Sequence, residues 1–133
     1  MNIDSEAFMG WLKANDSLSE SMLHNLSLEK YGYSVQAVFR RVIDNGGDVL
    51  SVPYDVEIHL EAVDSLNLVG ALMDYSVEHP EEVNWGFSEV SLVTLEPEDG
   101  RFRLRVVWEG WDRKIEILCR RVWVSIPNHA VNG

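Results

Sequence analysis

Four histidines, one cysteine and a run of carboxylates are the residues of this chain whose types could do chemistry. His24, His59, His79 and His129 are too far apart for any pair of them to grip a metal from one turn of helix, and a single cysteine, Cys119, excludes a cysteine-rich zinc site. Cys119 has Arg120 and Arg121 beside it, and cations favour a thiolate. It also continues an apolar alternation, which makes it a small core residue without a nucleophile's surroundings. Asp44-Asn45-Gly46-Gly47-Asp48 offers carboxylates in a turn but lacks the alternating ligands and distal Glu of a calcium loop. No glycine-rich phosphate loop is present. Asp55, Glu57 and Glu61 are carboxylates that a strand would hold on one face, where they could serve an enzyme only if they converged in a concave pocket. The sequence therefore implies no catalytic residue, metal or cofactor.

Arg101, Arg103 and Arg105 alternate with Phe102, Leu104 and Val106. That period of two places an arginine ladder on one face of a strand and core on the other. A basic ladder could hold an anion or nucleic acid. The charge distribution argues for cross-strand pairing with Glu89, Glu116 or Glu57 instead. The chain of 133 residues carries 22 acids against 11 Lys and Arg, a net charge of -11. Fourteen of those acids fall between Asp44 and Asp99, a stretch without one Lys or Arg. Such a field repels phosphate backbones and anionic membranes and draws in cationic partners. Neither nucleic acid nor membrane is expected as a partner; the acidic field serves either solubility alone or the attraction of a cationic protein. Trp111, set in the turn Glu109-Gly110-Trp111-Asp112, is an aromatic that either folds back over the sheet end or stands out as an interface candidate. The candidate partner-binding residues are Asp55, Glu57, Glu61, Glu81, Glu82 and Trp111.

The elements that must position these side chains follow from periodicity. Asp4 or Ser5 caps a short helix whose Phe8, Trp11 and Leu12 share a face and must dock on something apolar. Strands follow at Leu26–Leu28 and Val35–Phe39 around a Tyr31-Gly32-Tyr33 connection, then at Val56–Leu60 and Val63–Val69. Residues 71–84 suit either a short helix stopped before Pro80 or an excursion containing a strand. From Trp85 to Ile126 the chain again spells strand, turn, strand, turn, strand, with Pro97-Glu98-Asp99-Gly100 as one turn. Val56-Glu57-Ile58 with Val63 matches Ile115-Glu116-Ile117 with Val122, and Leu26-Ser27-Leu28 matches Val90-Ser91-Leu92. The expected fold is mainly β: an antiparallel sheet or sandwich of seven to eight strands, built from two related units at 23–69 and 85–126, with an N-terminal helix in 1–20 packed on it. All 133 residues fit one domain. The absence of a basic, apolar leader and of an eighteen-residue apolar run makes a cytoplasmic protein the expectation.

The pattern from His24 to Val124 resembles the immunity protein 50 group of bacterial polymorphic-toxin immunity proteins. The resemblance is carried by His24 opening the first strand, the apolar-acidic strand Val56–Leu60 leading to Val63, Leu66 and Leu68, the Gly86-Phe87-Ser88-Glu89 entry, and the closing Ile115–Val124 pattern with Cys119. Members commonly carry an acidic residue after that histidine, where Asn25 stands here. The resemblance implies a small cytoplasmic protein that binds and neutralises a toxin domain, with no catalytic residues of its own. A second expectation is a structural or oligomerising domain that forms a homodimer through an exposed sheet edge.

Overall fold

Alternation dominates this chain, and the structure, a computed structural model describing residues 1–41, 53–70, 89–108 and 113–131, turns it into one sheet. A short strand β1 (Asn2–Asp4) leads into helix α1 (Ser5–Ala14). Strands β2 (Met22–Glu29), β3 (Ser34–Arg41), β4 (Tyr54–Val69), β5 (Val90–Glu98), β6 (Arg101–Trp108) and β7 (Lys114–Ser125) follow, and a final turn of helix, α2, covers Asn128–Val131. The described residues make a seven-stranded antiparallel sheet ordered β2-β3-β4-β7-β6-β5, with β1 pairing the C-terminal end of β7. The fold is thus mainly β with one N-terminal helix. It is a single sheet and not a sandwich.

The two halves are each a three-stranded meander, β2-β3-β4 and β5-β6-β7, and their third strands lie together at the centre. Tyr54, Val56, Ile58 and Leu60 of β4 are buried, as are Arg113, Ile115, Ile117 and Cys119 around β7, which agrees with the Val56 and Ile115 alignment. The first strands align differently from the sequence match. Counted back from their turns, Leu26 stands three residues before the end of β2 as Leu95 does in β5, so Leu26–Leu28 corresponds to Leu95–Pro97 and not to Val90–Leu92. A short apolar-Ser-apolar motif recurs too easily in amphipathic strands to fix a register.

Three expectations about elements are corrected. The segments Val56–Leu60 and Val63–Val69 are one strand of 16 residues, bent where Ala62 takes φ 54° and where the register to β7 slips between Val63 and Ser65. Ile115–Cys119 and Val122–Ile126 likewise belong to the single strand β7, apart from Ile126 just beyond its end. A bulge reverses which residues face the core without ending the pairing, so a break in alternation imitates a turn. Pro97 is not in a turn either. It sits in edge strand β5 opposite Phe102, a position where a missing N–H costs no ladder bond, and the hairpin turns on Asp99 (φ 52°) and Gly100 (φ 78°). Residues 71–84 lie outside the described residues.

The core lies on one face. Asp4 caps α1 by accepting from the Ala7 N–H at 2.9 Å, and the helix buries Phe8, Trp11 and Leu12 against the sheet. Trp11 Nε1 donates to the Ala130 carbonyl at 3.0 Å, which pins α1 to the C-terminal turn. The sheet curls until its ends meet: Glu20 N–H donates to the Val90 carbonyl at 2.9 Å, and Val90 N–H to the Ser21 carbonyl at 2.8 Å. Those two bonds join the residues just before β2 to the start of β5. Curling is what lets one sheet wrap one core with helix α1 packed on it.

Candidate binding face

The polar face of the sheet is where the sequence places its candidates. Asp55, Glu57, His59 and Glu61 alternate with buried Tyr54, Val56, Ile58 and Leu60, so they stand in a row about 7 Å apart on the outer side of β4. Each carboxylate is engaged by a different neighbour. Asp55 receives Arg40 Nε at 3.0 Å from the adjacent β3, where the two are directly opposed. Glu57 lies 3.7 Å from His59 Nε2. Glu61 accepts from Trp123 Nε1 at 3.3 Å and lies 3.4 Å from Arg121 Nε. They do not converge on a common point, and no group of three or more His, Cys, Asp and Glu among the described residues could hold a metal ion.

His59 occupies the middle of this row. It pairs across the ladder with Trp123, and the two rings stack with centroids 3.7 Å apart and planes 5° from parallel. Contact between two flat rings on neighbouring strands is a favourable cross-strand pair. The outer face thus carries an aromatic pair flanked by Glu57 and Glu61. Trp123 was not among the sequence candidates. Its signal was available, because Trp123 alternates against buried Val122 and Val124. Glu81, Glu82 and Trp111 lie outside the described residues.

The arginine ladder is a set of ion pairs, as expected, with Glu116 among its partners and two others in place of Glu89 and Glu57. Glu116 on β7 is the hub: Arg103 Nη1 donates to it at 3.2 Å, Lys114 Nζ lies 3.1 Å away and Arg105 Nε 3.7 Å away. Arg103 also donates twice to Glu98, and Arg101 meets Asp64 at 3.1 Å. Glu98 and Asp64 therefore take the places foreseen for Glu89 and Glu57. Register explains this: Glu98 lies diagonally across the hairpin from Arg103, and long side chains reach diagonal neighbours. The Lys114 hydrogen bond, with the Arg105 and Arg103 guanidinium groups, holds the Glu116 carboxyl below the ordinary carboxylate range. The hydrogen bonds from Arg103 do the same for Glu98.

Cys119 is fully buried between the two meanders, and burial pushes its thiol up to about 11 despite the neighbouring arginines. Their guanidinium groups project outward instead: Arg120 and Arg121 are both exposed, and each meets a carboxylate. At the sheet's free end, edge strand β2 exposes Leu28 (59%) and is followed by a fully exposed Tyr31. No described helix is long and apolar enough to cross a membrane. Comparison with protein-family models finds no matching family, and a search of curated proteins finds no match.

Proposed function

We propose that this protein is a binding module that neutralises a cationic toxin domain in its own cytoplasm by direct protein-protein contact, without a catalytic step or cofactor. One observation carries this reading, the separation of charge along the chain. Fourteen of the 22 acids and all 11 Lys and Arg fall in the described residues, where many of them pair on the sheet. The other eight acids, with no Lys or Arg among them, fall in the connecting segments 42–52, 71–88 and 109–112. The described flanks of those segments are tied together by backbone pairing. Tyr54 opposes Arg41, Arg40 opposes Met22, Ser21 bonds Val90, Val90 opposes Trp108, Trp108 N–H donates to Arg113, and Lys114 opposes Val69.

A nearly balanced scaffold with its excess charge in its connections suits recognition by complementary fields, which steer a basic partner and suppress anionic ones. The resemblance to polymorphic-toxin immunity proteins supports the same reading. Asp55, Glu57, Glu61, Glu81, Glu82 and Trp111 remain the proposed contacts. The test is the affinity for the toxin-like product of a neighbouring gene, measured at low and at physiological salt. The reading requires binding that weakens as salt rises, and no binding at low salt removes it.

A second reading, self-association through the β2 edge, is favoured by the exposed Leu28 and Tyr31. Sedimentation at high concentration decides it, since a monomer throughout is incompatible with it.

A further inference from the structure

At the centre of the sheet β3 and β6 stop, and the two long strands run on with Tyr33, just before β3, still accepting from the Val63 N–H at 3.0 Å. Ser34, the first residue of β3, opposes Glu61, and Phe102 near the start of β6 opposes Cys119. Beyond those points Ala62 and Val63 of β4 run beside Arg120 and Arg121 of β7. Two irregularities coincide there. Ala62 holds φ 54°, a left-handed conformation that residues other than glycine rarely adopt, and the ladder slips at Asp64. On β7 the alternation fails, so that Arg120 and Arg121 are both exposed between buried Cys119 and Val122. The result is an open notch of about 460 Å³ lined by Tyr33, Ala62, Val63, Asp64, Arg120 and Arg121.

The charges around it do not cancel. Asp64 Oδ2 is shared by Arg101 Nε at 3.1 Å and Arg120 Nε at 3.5 Å, and Glu61 serves Arg121 while also accepting from Trp123. Among the described residues three guanidinium groups thus face two carboxylates, a local cationic excess on a chain of net charge -11. The ion pairs engage the Nε edge of each arginine. The Nη groups of Arg120 have no partner among the described residues, and Arg121 spends Nη2 on Tyr33. The Tyr33 hydroxyl accepts that bond, which leaves its own O–H to donate.

We propose that this notch binds an oxyanion of phosphate or carboxylate type, gripped by the Nη groups of Arg120, the remaining Nη1 of Arg121 and the Tyr33 hydroxyl. Paired planar forks with a hydroxyl beside them match the several acceptor oxygens of such a group. The surrounding acidic field works against a small anion, so chelation by more than one donor is required for it to stay. This site is independent of the toxin-binding reading, because its ligand has the opposite charge.

The test is an amide-shift titration of the intact protein with inorganic phosphate, and separately with acetate, at constant ionic strength. Saturable shifts at Tyr33, Ala62 to Asp64 and Arg120 to Arg121 are expected. The double variant Arg120→Gln/Arg121→Gln weakens binding about tenfold or more, Tyr33→Phe weakens it by a smaller factor, and Arg103→Gln, which lies outside the notch, leaves it unchanged. Saturation by phosphate alone assigns a phosphate group as ligand, and saturation by acetate as well assigns a site open to carboxylates. Shifts that fail to saturate with either anion overturn the proposal, as does equal binding by Tyr33→Phe and by a double variant whose remaining amide spectrum is native.

Discussion

At the scale of single residues, the polar face works by pairing each charge with a neighbour the register supplies. Glu116 shows this most fully, with Lys114, Arg103 and Arg105 around a side chain only 16% exposed. Replacing it by Gln leaves three cations crowded without their counter-charge and is expected to cost about 1 kcal/mol at neutral pH. Because the folded carboxyl lies below the ordinary range, its contribution is complete above the unfolded carboxylate pKa and is lost as pH falls through the depressed folded value. Denaturant unfolding should therefore show the gap between parent and Glu116→Gln at pH 7 and its closure in strong acid. Cys119 makes the complementary case, where burial outweighs nearby cations. The native thiol should resist a disulfide reagent at mildly alkaline pH and react only when denaturant opens the fold; rapid native labelling would contradict its placement. In sequence, the arginine ladder and the inert thiol were legible because period two fixes which face a residue takes. Of the partners only Glu116 was legible, since Glu98 and Asp64 reach the arginines across a diagonal and a bulge that residue spacing does not encode.

Among the elements, the least regular one is the most informative. Ala62 bends a 16-residue strand through a left-handed conformation that glycine would adopt freely. Ala62→Gly is expected to leave stability unchanged or raise it by up to about 1 kcal/mol, whereas Ala62→Val should lower it by more than that, both read from denaturant midpoints. Equal destabilisation by both would mean that the methyl group matters more than the backbone. Helix α1 and the hairpin around Asp99-Gly100 were legible because a cap, an apolar face and a turn pair act locally. The continuity of β4 and of β7 was not, because a bulge and a turn break alternation in the same way. The pair Arg120-Arg121 was the one visible sign of the notch, two charges in succession inside an otherwise alternating strand.

For the molecule as a whole, sheet order and closure decide where charge ends up. The mainly-β class could be read from alternation, but the contact between Ser21 and Val90 joins residues 69 apart and no local pattern announces it. That contact, with the central pairing of β4 and β7, brings together the flanks of the connections that hold eight acids and no Lys or Arg. The account's central claim is that this charge separation serves a basic protein partner. Calorimetric titration with a toxin-like product of a neighbouring gene, repeated across salt concentrations, tests it most directly. The account predicts saturable binding at low salt whose affinity falls steadily as salt rises, and weaker binding for Glu81→Gln/Glu82→Gln. Absence of binding at low salt, or an affinity indifferent to salt and to that substitution, would contradict it.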